Sequence, residues 1–231
     1  MAEPATDVSS ITDIIAIDGP AGAGKSTVAR RVAERLGYAF LDTGAMYRAA
    51  TWNAVAQGID LNDASALAEA TRRMRLDISE GDGRQTVVVD GHDVTAAIRT
   101  PEITSQIHYL DRTPEVRSTL VDIQRRFGAG RPTVAEGRDI GTVVFPQARC
   151  KVYMVASLDE RTRRRREELR GKGVDVSFEQ LREEIRVRDE LSMTRAVAPL
   201  RPAADAIHID TTSLTVDEVV GRIIDIAGRT D

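Results

Sequence analysis

Between Ile14 and Ala33 the chain reads IIAIDGPAGAGKSTVARRVA. A short apolar run with β-branched residues, IIAID, meets a turn made almost wholly of Gly, Ala and Pro. The turn meets a helical pattern in which Val28, Val32 and Leu36 recur on one face before Gly37 stops it. A buried strand that feeds a helix in this way belongs to a parallel sheet. Gly19, Pro20, Ala21, Gly22, Ala23, Gly24, Lys25 and Ser26 match G-x-x-x-x-G-K-[ST] position by position. Glycines let a ligand approach the main chain closely, and several N–H groups then point into one concavity. The helix start adds unpaired N–H groups and the positive end of its dipole. Lys25 supplies a mobile charge and Ser26 a hydroxyl able to ligate Mg²⁺. A tight turn without a ligand is the plainer alternative, but the flanking strand and helix favour a polyphosphate site, most simply for ATP or GTP.

Apolar strand patterns recur at Ile14–Asp18, Ala39–Asp42, Thr133–Glu136, Lys151–Ala156 and Ile207–Asp210. Helical patterns separate most of them, at Lys25–Leu36, Ala45–Gln57, Pro114–Phe127, Asp159–Arg170, Phe178–Leu191 and Val216–Ala227. This alternation predicts an α/β fold with a parallel five-stranded sheet flanked by helices, whose ligands sit beyond the carboxyl ends of the strands. Asp18, Asp42 and Glu136 fall at those ends. One stretch, Arg75 to Thr95, instead alternates in short pieces, with Asp82-Gly83 and Asp90-Gly91 as turn signals. It reads as a small antiparallel insertion, either decoration or a clamp over a second substrate.

With 231 residues, 42% of them hydrophobic, the chain has material for one good core. Its net charge of −4 gives no global pull towards nucleic acid or an anionic membrane. No apolar run reaches the ~18 residues of a membrane span, and the acidic, polar start is not a signal peptide. The lone Cys150 reads as a buried structural thiol. A soluble cytoplasmic protein is the expectation.

Only Lys25, Lys151 and Lys172 are lysines; the other 29 basic residues are arginine. Arginine presents a fixed fork that matches phosphate in two-point contact. The densest cluster, DERTRRRREELRGKG from Asp159 to Gly173, has three readings. It is a solvated helix paired through Glu160, Glu167 and Glu168, a nucleic-acid arm, or a lid that closes on a nucleotide. The phosphate loop favours the lid.

Three further segments add specificity: FLDTGAMYRA from Phe40, AEGRDIGTVVFPQA from Ala135 and RDELSMTRAVAPLRPAADA from Arg188. With IDGPAGAGKST they resemble bacterial cytidylate kinase, a nucleoside monophosphate kinase of the P-loop class, over about Ile14 to Gly228. The resemblance implies Mg²⁺-dependent transfer of the terminal phosphoryl of ATP to CMP or dCMP. It implies one kinase domain over 14–231 after a disordered segment 1–13. That domain would carry a nucleotide-monophosphate-binding insertion at about 70–100 and a helical lid at about 159–185. Gly19 to Thr27 would hold ATP, with Ser26 on the metal and Lys25 and Arg138 catalytic. Arg161, Arg164 and Arg165 would be the lid arginines, also catalytic. Arg48, Arg138, Arg188 and Arg195 would hold the acceptor phosphate and ribose. Ser105, Arg117 and Asp139 would read the base, with Thr43, Tyr47 and Ser192 also at the acceptor. Ser192 stands where the family commonly has a second aspartate, so the ribose would meet a neutral hydroxyl. His108 reads as a packing or surface residue. The expected partners are the nucleotides ATP and CMP/dCMP, with no membrane and no nucleic acid, and a monomer is expected.

Overall fold

The computed structural model describes residues 13–81, 84–171 and 173–229. The expected disorder of residues 1–12, the Asp82-Gly83 turn and Lys172 lie outside the described residues. Asp13, expected to fray with the N-terminus, is instead tied down. Its carbonyl accepts from Thr133 N–H at 3.0 Å and its carboxylate accepts from the Tyr38 hydroxyl at 2.8 Å.

The core sheet is parallel, built from β1 (Ile14–Asp18), β2 (Ala39–Asp42), β6 (Thr133–Gly137), β7 (Cys150–Val155) and β8 (Ile207–Asp210). Its order is β2-β6-β1-β7-β8. All five residues of β1 and of β6 are buried, which is why IIAID lacks a polar alternation. One face packs under α1 (Lys25–Leu36) and α8 (Val216–Ala227), with Val28, Val32, Phe40, Met154, Val220 and Ile223 in one cluster. The other carries α2 (Thr43–Ala56) and α5 (Pro114–Gly128), with Met46, Leu41, Leu120 and Phe145 in a second cluster. Cys150 is buried in the first, and burial pushes its thiol up to about 11, so it is a poor nucleophile.

Register sets the site. Asp18 stands opposite Gly137, and Asp42 opposite Glu136, so three carboxylates share the carboxyl edge of three adjacent strands. Strand β7 stops at Val155, one residue before the expected Ala156, and β6 runs on to Gly137.

The insertion holds a three-stranded antiparallel sheet, β3 (Leu76–Gly81), β4 (Arg84–Val89) and β5 (His92–Asp93). Asp90 and Gly91 both take positive φ (49° and 83°), as a two-residue hairpin turn requires. The sheet is fastened to edge strand β2. The Glu80 carboxylate accepts from Phe40 N–H, and Gln85 Oε1 accepts from Asp42 N–H at 3.3 Å. Two helices around it escaped the sequence reading: α3 (Ala64–Arg73), capped by Asp63, and α4 (Pro101–Asp111), capped by Thr100 with Pro101 in its first turn. The segment expected as a lid is a pair of helices, α6 (Leu158–Gly171) and α7 (Phe178–Thr194), joined through Leu169, Leu181 and Ile185. Among the described residues no helix is long and apolar enough to cross a membrane.

Candidate active site

Beyond the carboxyl edge of the sheet lies a cavity of about 810 Å³. Residues from Ala21 to Thr27 line one part of it, Thr43, Tyr47 and Arg48 of α2 another, and Arg164 and Arg165 of the lid a third. Arg138 and Asp139 enter from the end of β6, and Arg188, Ser192 and Arg195 from the end of α7. Apart from Gly19, Pro20 and Arg161, every site residue expected from the sequence lines this one cavity.

Gly19 and Pro20 act from behind. A Cβ on Gly19 would lie 2.1 Å from the Met154 carbonyl oxygen, so only glycine lets the loop cross the end of β7. Pro20 offers its carbonyl to Lys25 Nζ at 2.8 Å. Gly22, at φ +76°, rests on Arg161, whose Cβ is 3.1 Å from where its own would be. Arg161 departs from expectation: its guanidinium is turned away from the cavity. It donates to the carbonyls of Ala156 and Ala21 at 3.0 and 2.9 Å and to the Asp189 carboxylate.

The charges at the floor are unbalanced in an informative way. Ser26 Oγ donates to Glu136 Oε1 at 2.6 Å. Burial and the neighbouring Asp42 push the Glu136 carboxyl up. Burial would also raise Asp42, but Arg48 and Arg99 hold it below the usual carboxylate range. The Arg48 ion pair with Asp42 is 2.9 Å, and that of Arg99 is 3.6 Å. Two crowded buried carboxylates beside a serine hydroxyl form a hard oxygen set that fits Mg²⁺. Lys25 is lowered from its ordinary 10.5 to about 8 by burial and by Arg138.

Five arginines converge at the other end: Arg48, Arg117, Arg138, Arg188 and Arg195. Arg188 is lowered to about 10 by burial and by repulsion from Arg138, Arg165 and Arg48. Arg48 Nε, Arg117 NH1, Arg138 NH1 and Arg195 NH2 are buried nitrogens with no hydrogen-bond partner. All five line this end of the cavity, and so many guanidinium groups around one space fit an anion with several oxygens. Beside them Arg117 pairs with Asp139, their side chains 4% and 7% exposed, and Arg195 NH2 approaches Asp139 Oδ1 at 3.4 Å. The Arg117 guanidinium lies 5.7 Å from the centre of the Tyr47 ring. Thr43 turns its hydroxyl to the Glu136 carbonyl at 2.8 Å, and Ser192 turns its own to the Arg188 carbonyl at 2.9 Å.

Ser105 reaches the cavity rim, but its hydroxyl is spent on the Glu102 carbonyl at 2.8 Å and the residue is exposed. His108 and Asp111, one and two turns further along α4, line the cavity as well, so His108 is neither purely packing nor purely surface. Among the described residues, none of β3, β4 or β5 lines the cavity; Arg99 and α4, which follow them, do. On the lid, Arg163, Arg164 and Arg165 each hold a glutamate three or four residues away and also line the cavity. Arg164 further donates to the Thr211 carbonyl at 2.6 Å. The same three arginines thus carry the glutamate pairing expected of a solvated helix and also reach the cavity.

Sequence reasoning missed Arg99, Asp111 and Asp189. Asp189 had a visible signal, since it follows Arg188 in RDELSMTR. Arg99 precedes, and Asp111 ends, a helix that was itself missed.

A parallel sheet with a glycine-rich phosphate loop after its central strand, facing an arginine-lined pocket, defines a P-loop kinase. The chain belongs to the cytidylate kinase family, whose family model, described as cytidylate kinase, matches residues 15–229. It is 49% identical over 212 residues to the cytidylate kinase of Shouchella clausii (strain KSM-K16), covering 92% of this chain and 94% of that one. It is 46% identical over 215 residues to the cytidylate kinase of Carboxydothermus hydrogenoformans, covering 93% and 97%.

Proposed function

We propose that this chain transfers the terminal phosphoryl group of ATP to CMP or dCMP, giving the diphosphate and ADP. The observation that carries this reading is the single cavity lined by the phosphate-loop residues at one end and by Arg48, Arg117, Arg138, Arg188 and Arg195 at the other. A phosphate monoester has a second pKa of about 6, so the acceptor is largely dianionic at neutral pH and needs no general base. The obstacle is repulsion between two anions that must meet in line. Lys25 neutralises the donor phosphates, and Arg48, Arg138, Arg188 and Arg195 grip the acceptor. Arg164 and Arg165 close from the lid and exclude water. Arg161 supports the loop from behind. Ser26 would hold Mg²⁺, with Glu136 in reach of a metal-bound water; the ion would supply charge neutralisation between the phosphates.

Arg117 and Asp139 read the base. Cytosine has an amine at position 4 and acceptors at N3 and O2; a carboxylate accepts from the amine, and a guanidinium donates to the acceptors. Uracil sets a carbonyl against the carboxylate, a mismatch of about 1–3 kcal/mol, or roughly tenfold to a hundredfold. ADP release measured with CMP, dCMP, UMP, AMP and shikimate tests the proposal. Turnover is expected with CMP or dCMP and at least about tenfold less with UMP; equal turnover with UMP overturns the cytosine assignment. Asp139→Asn is expected to narrow the CMP-to-UMP gap, because an amide rotates to offer a donor.

Arg48→Ala is expected to raise the acceptor KM about tenfold or more for every base alike, since a hydrogen bond between charged groups is worth roughly 1.5–3 kcal/mol. The ATP KM should stay within about twofold of wild type, because Arg48 lies on the acceptor helix. An unchanged acceptor KM would remove Arg48 from the phosphate site.

A further inference from the structure

Asp189 touches three parts of the site that otherwise have separate tasks. It lies on α7, one residue after Arg188, and is buried. Its Oδ1 accepts from the Ala21 N–H of the phosphate loop at 3.0 Å. Its Oδ2 accepts from Arg161 NH1 of the first lid helix, and the same nitrogen donates to the Ala21 carbonyl at 2.9 Å. Both polar groups of one loop peptide residue are thus held by one ion pair. Oδ1 also stands 3.6 Å from Arg138 NH1, close enough for an ion pair but too long for a hydrogen bond.

Arg138 is therefore held by charge yet keeps NH1 unpaired. Burial and Arg195 both work against its charge, and Asp189 works for it. The carboxylate also favours the charged form of Lys25. A triphosphate in the loop draws the Ala21 segment and Lys25 into fixed positions, and whatever fixes Ala21 fixes Asp189. Whatever fixes Asp189 sets where Arg138 waits for the acceptor.

We propose that Asp189 is the positioning residue that couples the two nucleotide subsites, so that a bound donor tightens the grip on the acceptor phosphate. This rests on the reading of the cavity as a donor–acceptor site. Coupling of this kind is reciprocal: the factor by which the donor tightens acceptor binding equals the factor by which the acceptor tightens donor binding.

The test is calorimetric titration of CMP into the protein, alone and saturated with a non-hydrolysable ATP analogue and Mg²⁺. In the wild type the analogue is expected to tighten CMP binding about fivefold or more. In Asp189→Asn the amide oxygen still accepts from Ala21 N–H, but the charge that holds Arg161 and Arg138 is gone. There the factor is expected to fall to about one, while each ligand alone still binds. A purely structural role would weaken both ligands and leave the factor intact, and that result overturns the proposal. So does a wild-type factor of one. If Asp189→Asn does not fold, Asp189→Glu, which keeps the charge but moves it by one methylene, is expected to cut the factor at least threefold; an unchanged factor there is equally fatal. Wild type that binds the ATP analogue but no CMP would instead overturn the functional reading itself.

Discussion

Lys25→Met is expected to cut turnover about a hundred- to a thousandfold while leaving the protein at least as stable as the wild type. The first half follows from the position of the ammonium. Lys25 is buried at the start of α1, with Nζ on the Pro20 carbonyl at 2.8 Å. Charge acting in a water-poor site stabilises a developing phosphoryl charge far more than it would in solution. The second half follows from what that burial costs. Burial and Arg138 together lower the ammonium from 10.5 to about 8, against the pull of Glu136, Asp18 and Asp189. Below pH 8 the folded protein therefore carries an unfavourable charge worth on the order of 1–3 kcal/mol, which methionine lacks. Between pH 8 and 10.5 the unfolded chain binds the Lys25 proton and the folded one releases it, so wild-type stability gains as pH rises through this window. The variant should thus melt higher than wild type at pH 7, and the gap should shrink by pH 10. Thermal melts at both values, with steady-state rates, check this. A variant that melts well below wild type at pH 7, or that keeps its turnover, contradicts it.

How much of this was legible from the sequence depends on the range of each signal. The phosphate loop and its strand and helix are local, and their limits were readable to the residue: Ile14–Asp18 and Lys25–Leu36 stand as expected. The five-stranded parallel sheet followed from alternation, and β8 and α8 from their own apolar patterns. Helices α3 and α4 were not found because their cues lie in caps, Asp63 and the Thr100-Pro101 pair, rather than in a broad apolar stripe. The orientation of Arg161 was beyond reach for a different reason. Arg161, Arg164 and Arg165 stand at i, i+3 and i+4 and so share one face of α6, and helical spacing alone does not separate them. Which one turns inwards is fixed by Asp189, 28 residues on, and by Ala21, 140 residues back. The same long-range dependence hid Asp111, whose carboxylate meets Arg195 at 3.5 Å across 84 residues of chain.

Arg117→Ala is expected to destabilise the fold by about 3 kcal/mol as well as to weaken base selection. Arg117 and Asp139 are both buried, and each needs the other. Burial works against the Arg117 charge, yet Tyr47, Asp139 and Asp111 hold its guanidinium above its ordinary range. Removing one partner of such a pair strands the other charge, at a cost of about 3–5 kcal/mol. The lower end applies here because Arg195 still reaches Asp139 at 3.4 Å. For a chain of this length that corresponds to a melting temperature lower by roughly 6–12 °C. The double variant Arg117→Ala/Asp139→Ala separates the two consequences. With no stranded carboxylate it is expected to recover a large part of the lost stability, by the logic of a double-mutant cycle, and to recover none of the preference for cytosine. A base-reading pair and a stabilising pair would look alike in the single variant; only the double variant pulls stability and selectivity apart. If Arg117→Ala melts within about 2 °C of wild type, the pair contributes less than about 1 kcal/mol to the fold, and its burial at the cavity wall serves recognition alone.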